Sequence, residues 1–175
     1  MVVVSAPAAD KICESFTHNP LTSGQGKPTL LSLMGIKKEC IANASELDSD
    51  FGGGHNGCVC VAMGEQKYIL HLNTAFIPPR KPGRSPSYPL NPTHRDIAVS
   101  DQQYQNNVYD YNLVKNMNSS LKKIFVADIA KQWIKGEKYT VMGYTNKSCV
   151  ELMDCLYVRY GQITPGNLMQ NKEEM

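Results

Sequence analysis

Long apolar runs are missing from this chain of 175 residues. The opening Met1-Val-Val-Val meets Ser5, Ala6 and Pro7 at once, so it is too short for a signal-peptide core or a membrane span. A cytoplasmic protein with no membrane partner is expected. Charge of one sign is also missing. Eighteen Lys plus Arg stand against sixteen Asp plus Glu, and a formal +2 is too weak to mark a nucleic-acid binder by itself. The six cysteines, Cys13, Cys40, Cys58, Cys60, Cys149 and Cys155, lack the dense, even spacing of a secreted disulfide scaffold, which favours a reducing compartment. Gly52-Gly-Gly-His-Asn-Gly57 has no Lys-Ser/Thr at its end and no clear strand before it, so it reads as a turn rather than a phosphate-cradling loop. Neither a Cys-x2-Cys-x4-His-x4-Cys knuckle nor an Asp-Thr/Ser-Gly protease loop occurs.

What is present can fold. Hydrophobic residues make up 42% and charged residues 19%, enough to bury a core in one ordinary domain or two very small ones. Residues 1–28 mix small, polar and turn residues without a sustained period and read as a flexible leader. From 29 to 77 a small helical subdomain is expected. Leu30, Leu33 and Met34, then Ile36, Cys40, Ile41 and Ala44, recur at helical spacing as one or two short helices. The glycine run stops them, residues 58–63 fit either a buried strand or a helical turn, and Glu65 to Leu72 reads as a helix with Tyr68, Ile69 and Leu72 inward.

Six prolines fall in the seventeen residues 76–92, fixing φ and removing donors, so residues 78–92 form an extended connector. A second helical subdomain follows from 93 to 175. Thr93 can cap a long helix that meets no proline or glycine between Asp96 and Ile134, with a bend or break near Asn106-Asn107 or between Asn116 and Ser120. Tyr139, Val141, Met142 and Tyr144 are expected to pack onto the helices. Ser148 is a plausible cap for a stripe of Cys149, Leu152, Met153, Leu156, Tyr157 and Tyr160 that Gly161 can stop. Thr164-Pro165 starts a last helix towards Met175, inside which the chain is expected to stop. The expected fold class is all-α.

Few residues invite chemistry. His55, Cys58, Cys60 and His71 suggest zinc, but Cys-x-Cys lacks the usual ligand spacing and no second pair completes a tetrahedron. Nothing marks an orienting group or an oxyanion hole for a thiol hydrolase, so the cysteines read as small buried hydrophobes. No catalysis, metal, cofactor or small-molecule substrate is expected. Arg80, Lys81 and Arg84, with Tyr88 nearby, form a basic and aromatic patch that can touch RNA or an SH3-like partner, or simply keep the connector in water. Lys122, Lys123, Lys131, Lys135 and Lys138 can track a phosphate backbone or form the polar face of a helix. Leu152, Met153, Leu156, Tyr157 and Tyr160, with Leu168, are candidates for oligomerisation, although the stripe is core first and only residues left exposed beside it can serve assembly.

Several blocks in order carry a family likeness. They are Pro28-Thr-Leu-Leu-Ser-Leu-Met-Gly35, Ala42-Asn-Ala44 leading to Gly52-Gly-Gly-His-Asn-Gly57, an apolar segment closing on Met63 with Tyr68 after it, and Phe76-Ile-Pro-Pro79 before Lys81-Pro-Gly83. Most specific is Leu152-Met-Asp-Cys-Leu-Tyr-Val-Arg-Tyr-Gly-Gln-Ile-Thr-Pro165 followed by Leu168, Asn171 and Met175. From about Pro28 onward the chain resembles the Gag-like polyprotein of copia-type LTR retrotransposons, in the variant found in diatoms, oomycetes and other marine eukaryotes. It departs from that pattern at Cys58 and Cys60, where larger aliphatics are usual, and in the polar stretch around Asn116. The resemblance implies a capsid-like helical bundle that oligomerises into a shell around element RNA. The alternative is a truncated or co-opted helical module that binds one host protein without assembling.

Overall fold

The computed structural model describes residues 5–51, 56–138, 140 and 142–162. Among them are seven α-helices, two 3-10 turns and no β-strand, so the fold is all-α. In chain order the helices are α1 Ala9–Ser15, α2 Leu30–Ser45, α3 Gly57–Met63, α4 Glu65–Leu72, α5 His94–Asp128, α6 Lys131–Ile134 and α7 Cys149–Tyr160. The glycine run 52–54 with His55, the residues Tyr139 and Val141, and the helix expected after Thr164 lie outside the described residues, and Leu168 with them.

Capping chemistry sets three of the helix starts. Thr29, Ser148 and Thr93 each accept from the backbone N–H three residues on, and the side chains of Ser32, Glu151 and Asp96 accept in return from the cap N–H. Each box satisfies two of the donors that a helix N-terminus leaves orphaned. α2 is one helix rather than two short ones. Gly35 passes through its middle without breaking it because the 3-10 turn Thr22–Gly24 packs there, and a Cβ on Gly35 would stand 2.3 Å from the Ser23 hydroxyl. Residues 57–63, open between strand and helix in sequence, are helical. Gly64, at φ +88°, makes the corner into α4, a conformation that glycine adopts without a Cβ penalty.

α5 runs unbroken for 35 residues, and the expected bend near Asn106-Asn107 or Asn116 does not occur. Its first half buries nothing. Its second half buries Leu113, Met117, Leu121, Ile124 and Phe125 along one stripe. Around that stripe gather Ile12 and Phe16 of the α1 segment, Leu33, Ile36 and Cys40 of α2, and Leu152, Met153 and Leu156 of α7, in a single cluster.

Two expectations therefore fail. The leader is not flexible across its length: α1 and the chain after it bury Ile12, Cys13, Phe16 and Leu21, a pattern hidden from sequence by a helix of only two turns. Nor does the proline segment separate two helical subdomains, because α2 and α3 pack directly on α5 and α7. The chain from 75 to 93 carries no helix or strand. It is tied beside the first half of α5 instead, with the Tyr104 hydroxyl donating to the Gly83 carbonyl at 2.9 Å and the Tyr88 hydroxyl to Asp101 at 2.7 Å.

Phe16→Ala tests the burial of the leader. Removing a buried phenyl ring from a packed core costs about 3–5 kcal/mol, so chemical denaturation should show a loss of that size. No change in stability would return residues 9–16 to the status of a loose tail.

Candidate functional site

The α7 stripe faces inward. Leu152, Met153 and Leu156 are fully buried, which leaves none of their surface for a second copy and corrects their assignment to oligomerisation. Tyr157 and Tyr160 are half-buried at the margins. Tyr160 stands edge-on to Trp133, ring centroids 5.8 Å apart, with the Arg159 guanidinium 6.0 Å from its ring.

The basic residues divide by their partners. Lys122 donates to the carbonyls of Tyr144 and Lys147 at 3.1 and 3.0 Å, so it holds the loop before α7 and is not free for phosphate. Lys123 pairs with Asp10 at 2.8 Å, and its ammonium holds the Asp10 carboxyl below the usual carboxylate range. Neither partner is visible in sequence: the loop before α7 brings its carbonyls to Lys122, which corrects the reading of that lysine, and α1 brings Asp10 to Lys123 at the surface. Arg80 and Lys81 lie on the proline segment beside a cavity of about 550 Å³ that Phe51, Ile77 and Asp110 help to line, and Arg84 is exposed farther along it.

Lys131 and Lys135 are brought together. With Lys138 they surround a cleft of about 340 Å³ whose wall includes Val126 and Tyr144. The arrangement follows from a short helix. α6 is one turn long, so Lys131 and Lys135 fall one turn apart, and the 3-10 turn Lys135–Glu137 carries the chain round to Lys138. None of the three forms a salt bridge among the described residues. The acid of this turn, Glu137, is engaged elsewhere: it is bonded by Lys147 and by Arg159, the latter at 2.8 Å. The Lys147 hydrogen bond comes first among the causes that hold the Glu137 carboxyl below its usual range. The result is a cleft lined by three lysine side chains and an aromatic ring, which suits a phosphate backbone at its rim with a base lying near the ring. Sequence reading named the lysines, but their convergence on Val126 and Tyr144 depends on the turn at Ile129, where no proline or glycine gives warning.

Cys58 and Cys60 are poor nucleophiles. Burial pushes Cys58 up to about 11 and Cys60 up to about 12, so both remain neutral thiols at physiological pH. Among the described residues no group of three or more His, Cys, Asp or Glu is placed to hold a metal ion. No helix among them is long and apolar enough to cross a membrane. Comparison with protein-family models, with curated proteins and with solved structures gave no match.

Two outcomes follow. A thiol reagent at neutral pH should modify Cys155, the one cysteine that is not buried, well before the other five, with Cys58 and Cys60 reacting only on unfolding. Rapid labelling of Cys58 or Cys60 in the folded protein would contradict the burial that holds them inert. For Glu137, whose folded pKa is depressed, the stabilisation is present above the ordinary carboxylate range and is lost as pH falls through the folded value. Thermal melts of Glu137→Gln should therefore lie below the parent at neutral pH, with the gap closing in acid.

Proposed function

We propose that this chain is a non-enzymatic, Gag-like structural protein that works in the cytoplasm, associates with copies of itself and contacts element RNA. The observation that carries this reading is α4. That helix buries one side chain, Tyr68, while Ile69, Leu70 and Leu72 stand at the surface, although the spacing suggested that Ile69 and Leu72 would turn inward. A helix normally exists in a small domain because its apolar side is covered. Each of these three side chains gains at most about 1.5–3 kcal/mol on full burial, a scale suited to weak contacts repeated many times in a shell. The family likeness supports the same reading. The Lys131, Lys135 and Lys138 cleft supplies a place for RNA phosphate, with Arg80, Lys81 and Arg84 as a second basic segment.

Light scattering and negative-stain microscopy, with and without RNA, test it. Large particles are expected, and Ile69→Glu with Leu72→Glu should abolish them while helical content is retained. A monodisperse monomer under all conditions would favour the alternative, a co-opted module that binds a single partner. Replacing Lys131, Lys135 and Lys138 by Glu should weaken RNA binding and reduce the slope of log affinity against log salt by about 2, at roughly 0.7 per single-strand phosphate contact. An unchanged slope would remove the cleft from the RNA interface.

A further inference from the structure

A second basic site, with a separate lining, lies between α2, α4 and α7. A groove of about 590 Å³ opens there. Met34, Ile41 and Tyr157 contribute apolar wall, and Lys37, Lys38, Lys67 and His71 contribute basic groups. Lys37 is the unusual member. It sits at the inner edge of α2 between Ile36 and Cys40, it is buried, and its ammonium donates to the Met63 carbonyl at the end of α3 at 3.2 Å. Lys67 of α4 faces it closely enough to disfavour the charged form of Lys37. Burial first, and Lys67 second, bring the Lys37 amine down to about 8.

Two apposed ammonium groups, one of them desolvated, are a poor arrangement unless something anionic comes between them. Asp154 of α7 is the one carboxylate lining the groove, and it offsets one of the three lysine charges. The surplus matches a dianion rather than a monoanion, and a phosphate monoester carries nearly that charge at neutral pH. The apolar wall asks for a carbon skeleton attached to it. We infer that this groove binds a small organic phosphate, the phosphate between Lys37 and Lys67 and the organic part along Met34, Ile41 and Tyr157. This site shares no residue with the Lys131, Lys135 and Lys138 cleft and stands whether or not the chain assembles.

Phenyl phosphate is a suitable probe. The full chain is acylated with trace reagent at about pH 8, where Lys37 is near its midpoint, and labelling is read lysine by lysine by mass spectrometry. Saturating probe should lower labelling of Lys37 and Lys67 about fivefold, since it both shields the amines and holds them protonated, while exposed Lys11 and Lys115 are unaffected. Calorimetry should show binding lost in Lys37→Met, which keeps the apolar stem, and strengthened severalfold in Asp154→Asn. Unchanged labelling of Lys37, or an equal fall at every lysine, would overturn the site. So would protection by an RNA oligomer but not by phenyl phosphate, which would reassign the groove to nucleic acid.

Discussion

The structure depends on one stretch of one helix, residues 113–125 of α5. Successive residues turn about 100° round a helix, so Leu113, Met117, Leu121, Ile124 and Phe125 form a continuous apolar band. Two polar pairs border it, one on each side. Asn116 and Ser120 donate to the carbonyls of Pro7 and Ala9 at 2.9 and 2.6 Å, which seats α1. On the other border Asn118 accepts from the Cys149 N–H at 2.9 Å, adding a cap to α7 from outside that helix, and Lys122 gathers the carbonyls of the loop before it. The apolar band supplies most of the driving force, and the polar borders fix which elements lie on which side and in what register.

That arrangement explains what could be read from the sequence. α7 was legible almost to its ends, because Ser148, an unbroken stripe and Gly161 all agree with one another. The start of α5 was legible for the same reason, through Thr93. The stretch from Asn116 to Ser120 was misread as a weak point in α5. Asparagine and serine within a helix look like breakers when only local backbone competition is considered. Here their side chains are engaged by segments more than a hundred residues away in sequence, at Pro7 and Ala9, and no local pattern reveals such partners. The short α1 was missed because seven residues give too few turns to show a period.

The same geometry sorts the candidate functional residues. Lysines that look alike in sequence divide into Lys122, which holds the loop before α7, Lys123, which pairs with Asp10 at the surface, and Lys131, Lys135 and Lys138, which line one cleft. The apolar stripe of α7 is consumed by the interior, so any contact between copies falls to side chains that the core leaves outside, of which α4 offers the most concentrated set. Lys37 escaped notice because a lysine beside an apolar stripe usually reaches for water, and only the end of α3 shows that it is held inward.

Amide hydrogen exchange read by mass spectrometry addresses the shared core most directly. If the band on α5 binds the other elements into one unit, amides of residues 12–16, 33–44, 113–125 and 152–156 should exchange together and slowest, and those of the first half of α5 sooner. Exchange of residues 12–16 at the rate of a free peptide, or of 33–44 independently of 113–125, would show that the chain is not organised around that band.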